Sequence, residues 1–251
     1  MRQLFPPVLA PEDGILDDRD LERAYGDEPV DFLRVNFVAS ADGAATLSGR
    51  AGGLGSATDQ KVLRLLRDRS DAILVGAGTV EAESYRPLRD DPARSKARTE
   101  RGLSPVAPLV VVTRRLSLEP SDPVIAKAVA PTVIVTCANS DRQRRERLAA
   151  VTPVIVAGTD IVDLAAARVA LAERGLRRLV CEGGPTLLGT ALAAGIVDEL
   201  CLTLSPMLTG PGAPRIVDGV LPIDPIRLEL RHLLEEEGYL FLRYAVKPAG
   251  S

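Results

Sequence analysis

Two glycine-bearing segments of the sequence have the composition of loops that bind a phosphate group. In DAILVGAGTV, Gly76 and Gly78 follow a predicted strand and Thr79 comes next; in CEGGPTLLG, Gly183 and Gly184 precede a predicted helix. Glycine lets backbone amides approach an anion closely, and the start of a helix adds unpaired N–H groups and the positive end of the helix dipole. Each segment alone is equally typical of a tight strand–helix turn. Together they indicate a pyrophosphate held between two helix starts.

A pair of arginines could decide which dinucleotide is bound. The run LVVVT ends at Thr113 and is followed by Arg114 and Arg115. A guanidinium at the carboxyl end of a strand can hold a ribose 2′-phosphate through two parallel hydrogen bonds, which favours NADPH over NADH. The same residues also fit a solvated turn, because exposed charges commonly have no specific partner.

Three carboxylates are candidates for the chemistry itself. Asp42 follows a long predicted strand, Glu83 lies just past the first glycine segment, and Glu182 begins the second. Ligands bind outside the carboxyl ends of the strands in sheets of this kind, so we expect the three side chains to converge at one edge. Carboxylates beside a nicotinamide ring could orient a polar substrate or assist proton transfer. We therefore predict that Asp42, Glu83 and Glu182 are catalytic and contact the substrate.

Histidine and cysteine are too few and too scattered to build a metal centre. His232 is the only histidine, and Cys137, Cys181 and Cys201 form no C-x-x-C pair. This pattern argues against a zinc site and against most hydrolases that use an imidazole base. We interpret His232, in the strand-like run LELRHLL, as structural. The three cysteines have aliphatic neighbours, which is typical of buried thiols in a reducing compartment.

Charge and hydropathy argue against several classes of partner. The net charge is −3 and aromatic residues make up only 3% of the chain, which disfavours nucleic-acid binding. No apolar run reaches the ~18 residues that a membrane span needs, and prolines interrupt the N-terminus where a signal peptide would be continuously apolar. We predict a cytoplasmic protein whose partner is a small molecule.

The elements that position these residues follow from hydrophobic periodicity. The predicted strands are residues 33–40, 72–75, 109–113, 132–136, 154–156, 178–181, 199–204, 227–233 and 239–246, and the predicted helices are 58–69, 141–149, 161–174 and 185–194. Alternation of strands and helices predicts a mostly parallel sheet in a three-layer α/β/α fold. The last two strands meet at Glu237 and Gly238, so we predict an antiparallel hairpin that makes the sheet mixed.

Composition divides the chain into two parts. Residues 1–31 are rich in proline and acids and are interpreted as an N-terminal extension that packs on the surface or is partly mobile. Residues 32–251 are predicted to form one domain. Within it, residues 86–108 form a long charged segment, interpreted as a loop that is functional or mobile. Its basic residues are interpreted as keeping the loop soluble, with attraction of a phosphorylated substrate as the alternative; they are Arg94, Lys96, Arg98 and Arg101.

The order of the motifs resembles a known family. S-x-D-G after a strand is followed by L-R-x-x-x-D-A-I-L-V-G-x-G-T-V, then V-x-E-G-G-x-x-L, then V-D-E-L-x-L-x-x-x-P-x-L-x-G. This series resembles the reductase domain of bacterial riboflavin biosynthesis enzymes, the pyrimidine reductases. The resemblance covers residues 33–246, and residues 180–210 are its most specific part.

The resemblance implies a dihydrofolate-reductase-like sheet, NADPH bound across the two glycine loops, and a homodimer. The family reaction reduces the ribose of 5-amino-6-(5-phosphoribosylamino)uracil to a ribityl chain, by hydride delivery to C1′ of the opened sugar. Carried onto this chain, the resemblance assigns cofactor binding to Gly76, Gly78, Thr79, Thr113, Arg114, Gly183, Gly184 and Thr186. It assigns substrate binding to Asp42, Glu83, Arg89 and Glu182.

Two departures from the family pattern fall on the substrate side. Ala44 stands where many members have a lysine after Asp-Gly, and Glu83 stands where they have an aspartate. The deaminase part of bifunctional relatives is absent, because the chain has no H-x-E or P-C-x-x-C motif. Two alternatives therefore remain open: a dihydrofolate or pterin reductase with the same NADPH site, and a non-catalytic NADPH-binding protein.

Overall fold

In the part of the chain that the structure describes, the strands form one ten-stranded sheet. The computed structural model describes residues 1–6, 15–26, 28–219 and 225–247. The strands are β1 (Arg2–Phe5), β2 (Phe32–Ser40), β3 (Ala72–Gly76), β4 (Leu109–Val112), β5 (Val133–Thr136), β6 (Val154–Val156), β7 (Arg178–Cys181), β8 (Glu199–Ser205), β9 (Leu228–Glu236) and β10 (Tyr239–Val246). Their order across the sheet is β1-β9-β10-β8-β2-β7-β3-β4-β5-β6.

Helices connect most of the strands. They are α1 (Asp18–Tyr25), α2 (Ala57–Asp68), α3 (Ala77–Ala82), α4 (Pro92–Glu100), α5 (Pro123–Ala126), α6 (Arg142–Ala149), α7 (Leu164–Ala172) and α8 (Pro185–Ala193), with a 3₁₀ turn at Ala51–Gly53. In the described part of the chain, none of these helices has the length and apolar character needed to cross a bilayer.

The strand directions confirm the predicted mixed sheet. Strands β8, β2, β7, β3, β4, β5 and β6 are parallel neighbours, whereas β10, β9 and β1 add to the β8 edge in antiparallel register. The turn between β9 and β10 has positive φ at Glu237 (52°) and Gly238 (81°). Positive φ at both central residues is the geometry that two-residue hairpin turns favour, and it explains the glycine at this position.

Two apolar layers lie on opposite faces of the sheet, which confirms the three-layer arrangement. In β3, Ile73 and Val75 pack with residues of α1, α2, α3 and α6, while Leu74 packs with residues of α7 and α8. This alternation follows from the two-residue period of a strand. Because both faces are covered, the short central strands β3, β4 and β5 are apolar at nearly every position.

The described part of residues 1–31 belongs to the sheet and the core. Strand β1 pairs with β9, and α1 buries Leu21 and Tyr25. The Tyr25 ring meets His232 edge-on at 4.8 Å, and the His232 Nδ1 contacts the Ala24 carbonyl at 3.0 Å. The interpretation of a surface-packed or mobile extension is therefore wrong for these residues; residues 7–14 and 27 lie outside the described chain. The boundary at residue 31 stays a prediction.

The segment 86–108 contains a helix rather than one long loop. Asp91 caps the first turn of α4 with its side chain, and Pro92 occupies the first helical position. Arg98 is buried and donates hydrogen bonds to the Ser104 and Arg67 carbonyls. The prediction of solubilising arginines is wrong for Arg98, because its guanidinium fixes the ends of α4 and α2 to each other.

Candidate active site

A cavity of about 1310 Å³ lies at the carboxyl ends of β2, β3, β4 and β7. It extends between α2, α3 and α8, where parallel strands end and helices begin. This is the edge at which sheets of this type bind ligands. All eight residues predicted to bind the cofactor line it: Gly76, Gly78, Thr79, Thr113, Arg114, Gly183, Gly184 and Thr186.

The two glycine loops contact each other. The Gly76 N–H donates to the Gly183 carbonyl at 2.8 Å. A Cβ added to Gly184 would lie 2.8 Å from the Thr79 hydroxyl, so the loops could not pack in this way with a larger residue there. Gly184 is also the N-cap of α8 and provides no side-chain cap. The first-turn N–H groups of α8 are thus available to an anion in the cavity.

The arginine turn lies at another part of the same cavity. Thr113 is buried, and its hydroxyl accepts a hydrogen bond from the Leu116 N–H at 2.9 Å. This bond fixes the turn that presents Arg114 and Arg115, both of them exposed. The two arginines also border a smaller depression of about 490 Å³ that Arg144 helps to line. Asp141 and Asp160 line this depression as well, so the three guanidinium groups exceed the carboxylates by one charge, and Arg114 and Arg115 are the arginines that also face the main cavity.

Two of the three predicted carboxylates line the cavity. Glu83 follows α3, and its Oε1 accepts a hydrogen bond from the Ala51 N–H at 2.6 Å. Glu182 accepts hydrogen bonds from Arg67 Nε and Nη2, both at 2.6 Å, and from the Tyr85 hydroxyl at 2.6 Å. Burial and the charge of Glu182 raise the pKa of Tyr85 well above its usual range. Tyr85 is therefore a neutral donor, and Glu182 positions Arg67 and Tyr85 at the cavity wall.

Asp42 does not join the other two carboxylates. Its side chain accepts hydrogen bonds from the Thr209 N–H at 3.1 Å and the Gly210 N–H at 2.9 Å, and from the Ser40 hydroxyl. These donors, with that of Ser40 the strongest, lower the pKa of Asp42 to about 2. Among the described residues, Asp42 is not part of the cavity lining. The expected convergence is therefore wrong for Asp42, because the turn at Gly43 (φ 89°) places its carboxylate against the loop after β8.

Several cavity residues were not predicted from the sequence. Arg67 lies within the L-R-x-x-x-D-A-I motif, which was a usable signal, and Tyr85 lies between Glu83 and the predicted Arg89. Arg89 itself is exposed and lines the cavity. Asp59 lines it from α2 and is 7% exposed, although its place in a first helical turn is equally common for surface acids. In the described part of the chain, no group of three or more His, Cys, Asp or Glu residues is arranged to hold a metal.

Comparison with known proteins assigns the chain and its fold to one family. The RibD C-terminal domain family matches residues 31–237. The 2,5-diamino-6-ribosylamino-4(3H)-pyrimidinone 5′-phosphate reductase of Methanothermobacter thermautotrophicus is 33% identical over 216 residues, 84% of this chain and 92% of that protein. The riboflavin biosynthesis protein RibD of Bacillus amyloliquefaciens is 30% identical over 75% of this chain and 49% of its own length. The crystal structure of a pyrimidine reductase-like protein from Corynebacterium diphtheriae superposes with a TM-score of 0.81 and 31% identity, over 90% of this chain and 98% of that one.

Proposed function

Because the chain belongs to the RibD C-terminal domain family, we propose that it is a reductase of riboflavin biosynthesis that acts on a phosphorylated ribosylaminopyrimidine with NADPH. The observation that carries this proposal is the cavity itself. The two glycine loops contact each other and form one wall of the cavity. Residues of α2 line another part of the same cavity. A dinucleotide and a second molecule therefore have adjoining places in one cavity.

The cofactor wall fits a nicotinamide dinucleotide phosphate. Gly183, Gly184 and Thr186, with Gly78 and Thr79 opposite, would hold the pyrophosphate through backbone N–H groups. Arg114 and Arg115 would pair with the 2′-phosphate, and that pairing would favour NADPH over NADH. When bound, NADPH supplies the hydride. The protein contributes alignment of the two molecules and a cavity with restricted access to water.

The substrate wall carries groups suited to a sugar phosphate. Arg86 and Arg89 line the cavity and are the cations proposed to hold the phosphate. Glu83 keeps its Oε2 without a protein donor among the described residues, so it can accept a hydrogen bond from a ribose hydroxyl. In the reaction, C1′ gains a hydride, the product gains one proton, and the ribose becomes an open ribityl chain. We propose that Glu83, rather than the fully bonded Glu182, orients the reacting sugar.

The proposal also covers the oligomeric state and the cellular location of the protein. We propose a homodimer that acts in the cytoplasm on a small molecule, without a nucleic-acid or membrane partner. The match to the RibD C-terminal domain family and the similarity to the archaeal reductase support the enzymatic part of this proposal. The two alternatives, a pterin reductase and a non-catalytic NADPH-binding protein, make different predictions in one assay.

The assay follows NADPH oxidation by absorbance with separate substrates. These are the phosphoribosylaminouracil, the 2,5-diaminopyrimidinone phosphate named for the archaeal relative, and dihydrofolate. We expect oxidation with a ribosylaminopyrimidine phosphate and a product heavier by two hydrogens. Oxidation with dihydrofolate alone would support the pterin reductase instead. Tight NADPH binding with no turnover of any substrate would support the non-catalytic alternative.

A further inference from the structure

A buried carboxyl group lines the cavity away from the cofactor wall. Asp59 is the third residue of α2 and is 7% exposed. The Thr203 hydroxyl of β8 donates a hydrogen bond to it, and no cation pairs with it among the described residues. Burial raises the pKa of Asp59, and the Thr203 bond opposes that rise. A carboxylate in this position lacks the donors that would offset its desolvation, so it is destabilising unless a ligand supplies them.

The local sequence holds Asp59 in one place. Its backbone N–H donates to the side chain of Ser56, the N-cap of α2, at 3.1 Å. Gly55 lies so close that an added Cβ would be 2.7 Å from Asp59 Oδ2. An acid in a first helical turn stabilises the helix dipole equally well when it is exposed, so that role does not require burial. The fit at Gly55 fixes the position of the carboxyl group, and the burial of an acid that lines the cavity points to a function there.

The groups around Asp59 suit a flat heterocycle. Val38, Ala45 and Leu63 line the same cavity, and Val38 is the register partner of Thr203 in the β2–β8 pair. Asn36 and Gln60 line the cavity as well. Apolar walls with a few polar groups are typical of pockets that hold a ring by its faces and form hydrogen bonds to its polar edge. The base of the proposed substrate is such a ring, while its phosphate suits the arginines Arg86 and Arg89.

We propose that the Asp59 carboxylate recognises the 2-amino group and the adjacent N3–H of a 2-amino-4-oxopyrimidine, and so makes the chain selective for the diaminopyrimidinone over the uracil. This inference rests on the proposed function and specifies its substrate. Two neighbouring N–H donors match the two oxygens of a carboxylate, as the fork of an arginine does. Uracil has a carbonyl oxygen in place of the amino group, and that oxygen would face a carboxylate oxygen. The two carboxylate oxygens of Asp59 therefore attract the 2-amino-4-oxopyrimidine and repel the uracil.

The test compares the wild type, Asp59→Asn and the control Asp68→Asn, which removes a carboxylate that pairs with Arg94 at the C-terminal end of the same helix, outside the cavity lining. For each protein, kcat/KM is measured with both ribosylaminopyrimidine phosphates. We expect the wild type to prefer the diaminopyrimidinone by about 10- to 100-fold, the size expected for hydrogen bonds to a charged group. Asp59→Asn should lose that preference, because its amide offers a carbonyl to N3–H and an amino group to the uracil O2. Asp68→Asn should keep the wild-type ratio.

Binding separates this inference from the proposed function. Both pyrimidine phosphates are titrated calorimetrically into the protein saturated with NADP⁺, which cannot donate a hydride. Tighter binding of the diaminopyrimidinone to the wild type, lost in a folded Asp59→Asn protein, supports the role of Asp59 whether or not turnover occurs. Equal affinities of the wild type for the two ligands, or an equal loss of both in Asp59→Asn, would overturn it. Absence of turnover with both substrates would contradict the proposed function alone.

Discussion

At Glu182, three side chains from separate elements meet and fix one wall of the cavity. The carboxylate is 4% exposed and bonds to both Arg67 and Tyr85, and Arg67 is 20% exposed. Both carboxylate oxygens accept a hydrogen bond from Arg67, and Oε2 accepts a second one from Tyr85. The role of Glu182 is to hold a cation and a phenol in place, so the sequence-based interpretation of Glu182 as a proton-transfer residue is less well supported than one of positioning.

Glu182→Gln should therefore lower stability as well as activity. The substitution leaves Arg67 in a largely buried site with a neutral partner, and we expect a loss of roughly 2 kcal/mol in the free energy of unfolding. Urea denaturation measures this loss. Glu173→Gln is the matched control, because Glu173 is an exposed residue at the end of α7 and should change stability by less than about 0.5 kcal/mol. Equal stability of the two variants would contradict the positioning role.

At Gly78, a substitution should affect NADPH binding without lowering the stability of the fold. Gly78 is the second residue of helix α3, and a Cβ added there would meet no protein atom within 4 Å. Gly78→Ala should leave stability unchanged or raise it by up to about 1 kcal/mol. The same methyl group should weaken NADPH binding, because the pyrophosphate must approach this backbone. Calorimetric titration of NADPH checks this, and unchanged affinity would show that no phosphate approaches Gly78.

Arg114 should determine the choice of dinucleotide. Arg114→Ala removes a proposed partner of the 2′-phosphate, so we expect the NADPH dissociation constant to rise about 10- to 100-fold while that for NADH changes little. Fluorescence titration with each dinucleotide measures both. Arg142→Ala is a suitable control, because Arg142 is exposed on α6 and pairs with Glu146. Equal effects of Arg114→Ala on NADPH and NADH would place the 2′-phosphate elsewhere.

At the scale of elements, α1 is docked on the sheet by a buried histidine. Burial, with the charge of Arg243, lowers the pKa of His232 from 6.5 to about 3. The folded protein thus keeps His232 neutral where the unfolded chain protonates it. The contribution of His232 to stability is complete above pH 6.5 and falls as the pH falls toward 3.

Acid should therefore destabilise the protein through His232. Below about pH 6.5 we expect the free energy of unfolding to decrease by up to about 1.4 kcal/mol per pH unit from this group. His232→Gln can keep the hydrogen bond to Ala24 but cannot titrate, so its stability should depend less steeply on pH. Urea denaturation of both proteins between about pH 7 and pH 4 gives the difference. Parallel curves for the two proteins would exclude this effect.

The elements also show what could be predicted from the sequence. Strands such as β3 and β7 were predicted closely, because buried parallel strands are short runs of Val, Leu and Ile between polar residues. Helix α1 was missed because its apolar face has only Leu21, Ala24 and Tyr25 in an otherwise charged stretch. Helix α4 was missed because its most buried residue is an arginine, Arg98, which periodicity counts as polar. In both cases tertiary contacts, rather than the local pattern, determine burial.

The candidate site was predicted only in part, because some of its residues form local motifs and others are brought there by tertiary packing. Glycine loops are local features, so the residues of the cofactor wall could be named before their contact was known. Asp42 and Asp59 depend on three-dimensional packing. Asp42 was expected in the cavity but bonds to the loop at Thr209, whereas Asp59 lies in the cavity without a distinguishing motif.

At the scale of the whole molecule, one sheet unites the cofactor wall and the substrate wall. Strands β3, β4 and β7 carry the glycine loops and the arginine turn, and β2 with β8 supports α2 and Asp59. We propose that this arrangement transfers a hydride to the sugar of a ribosylaminopyrimidine phosphate. The family match and the shared cavity both support that claim.

The most direct test uses NADPH that carries deuterium at the transferred position. The protein is incubated with each ribosylaminopyrimidine phosphate, and the product is analysed by mass spectrometry and NMR. We expect one deuterium, bonded to C1′ of the ribityl chain. A product without deuterium, or with deuterium on the pyrimidine ring, would contradict the proposal.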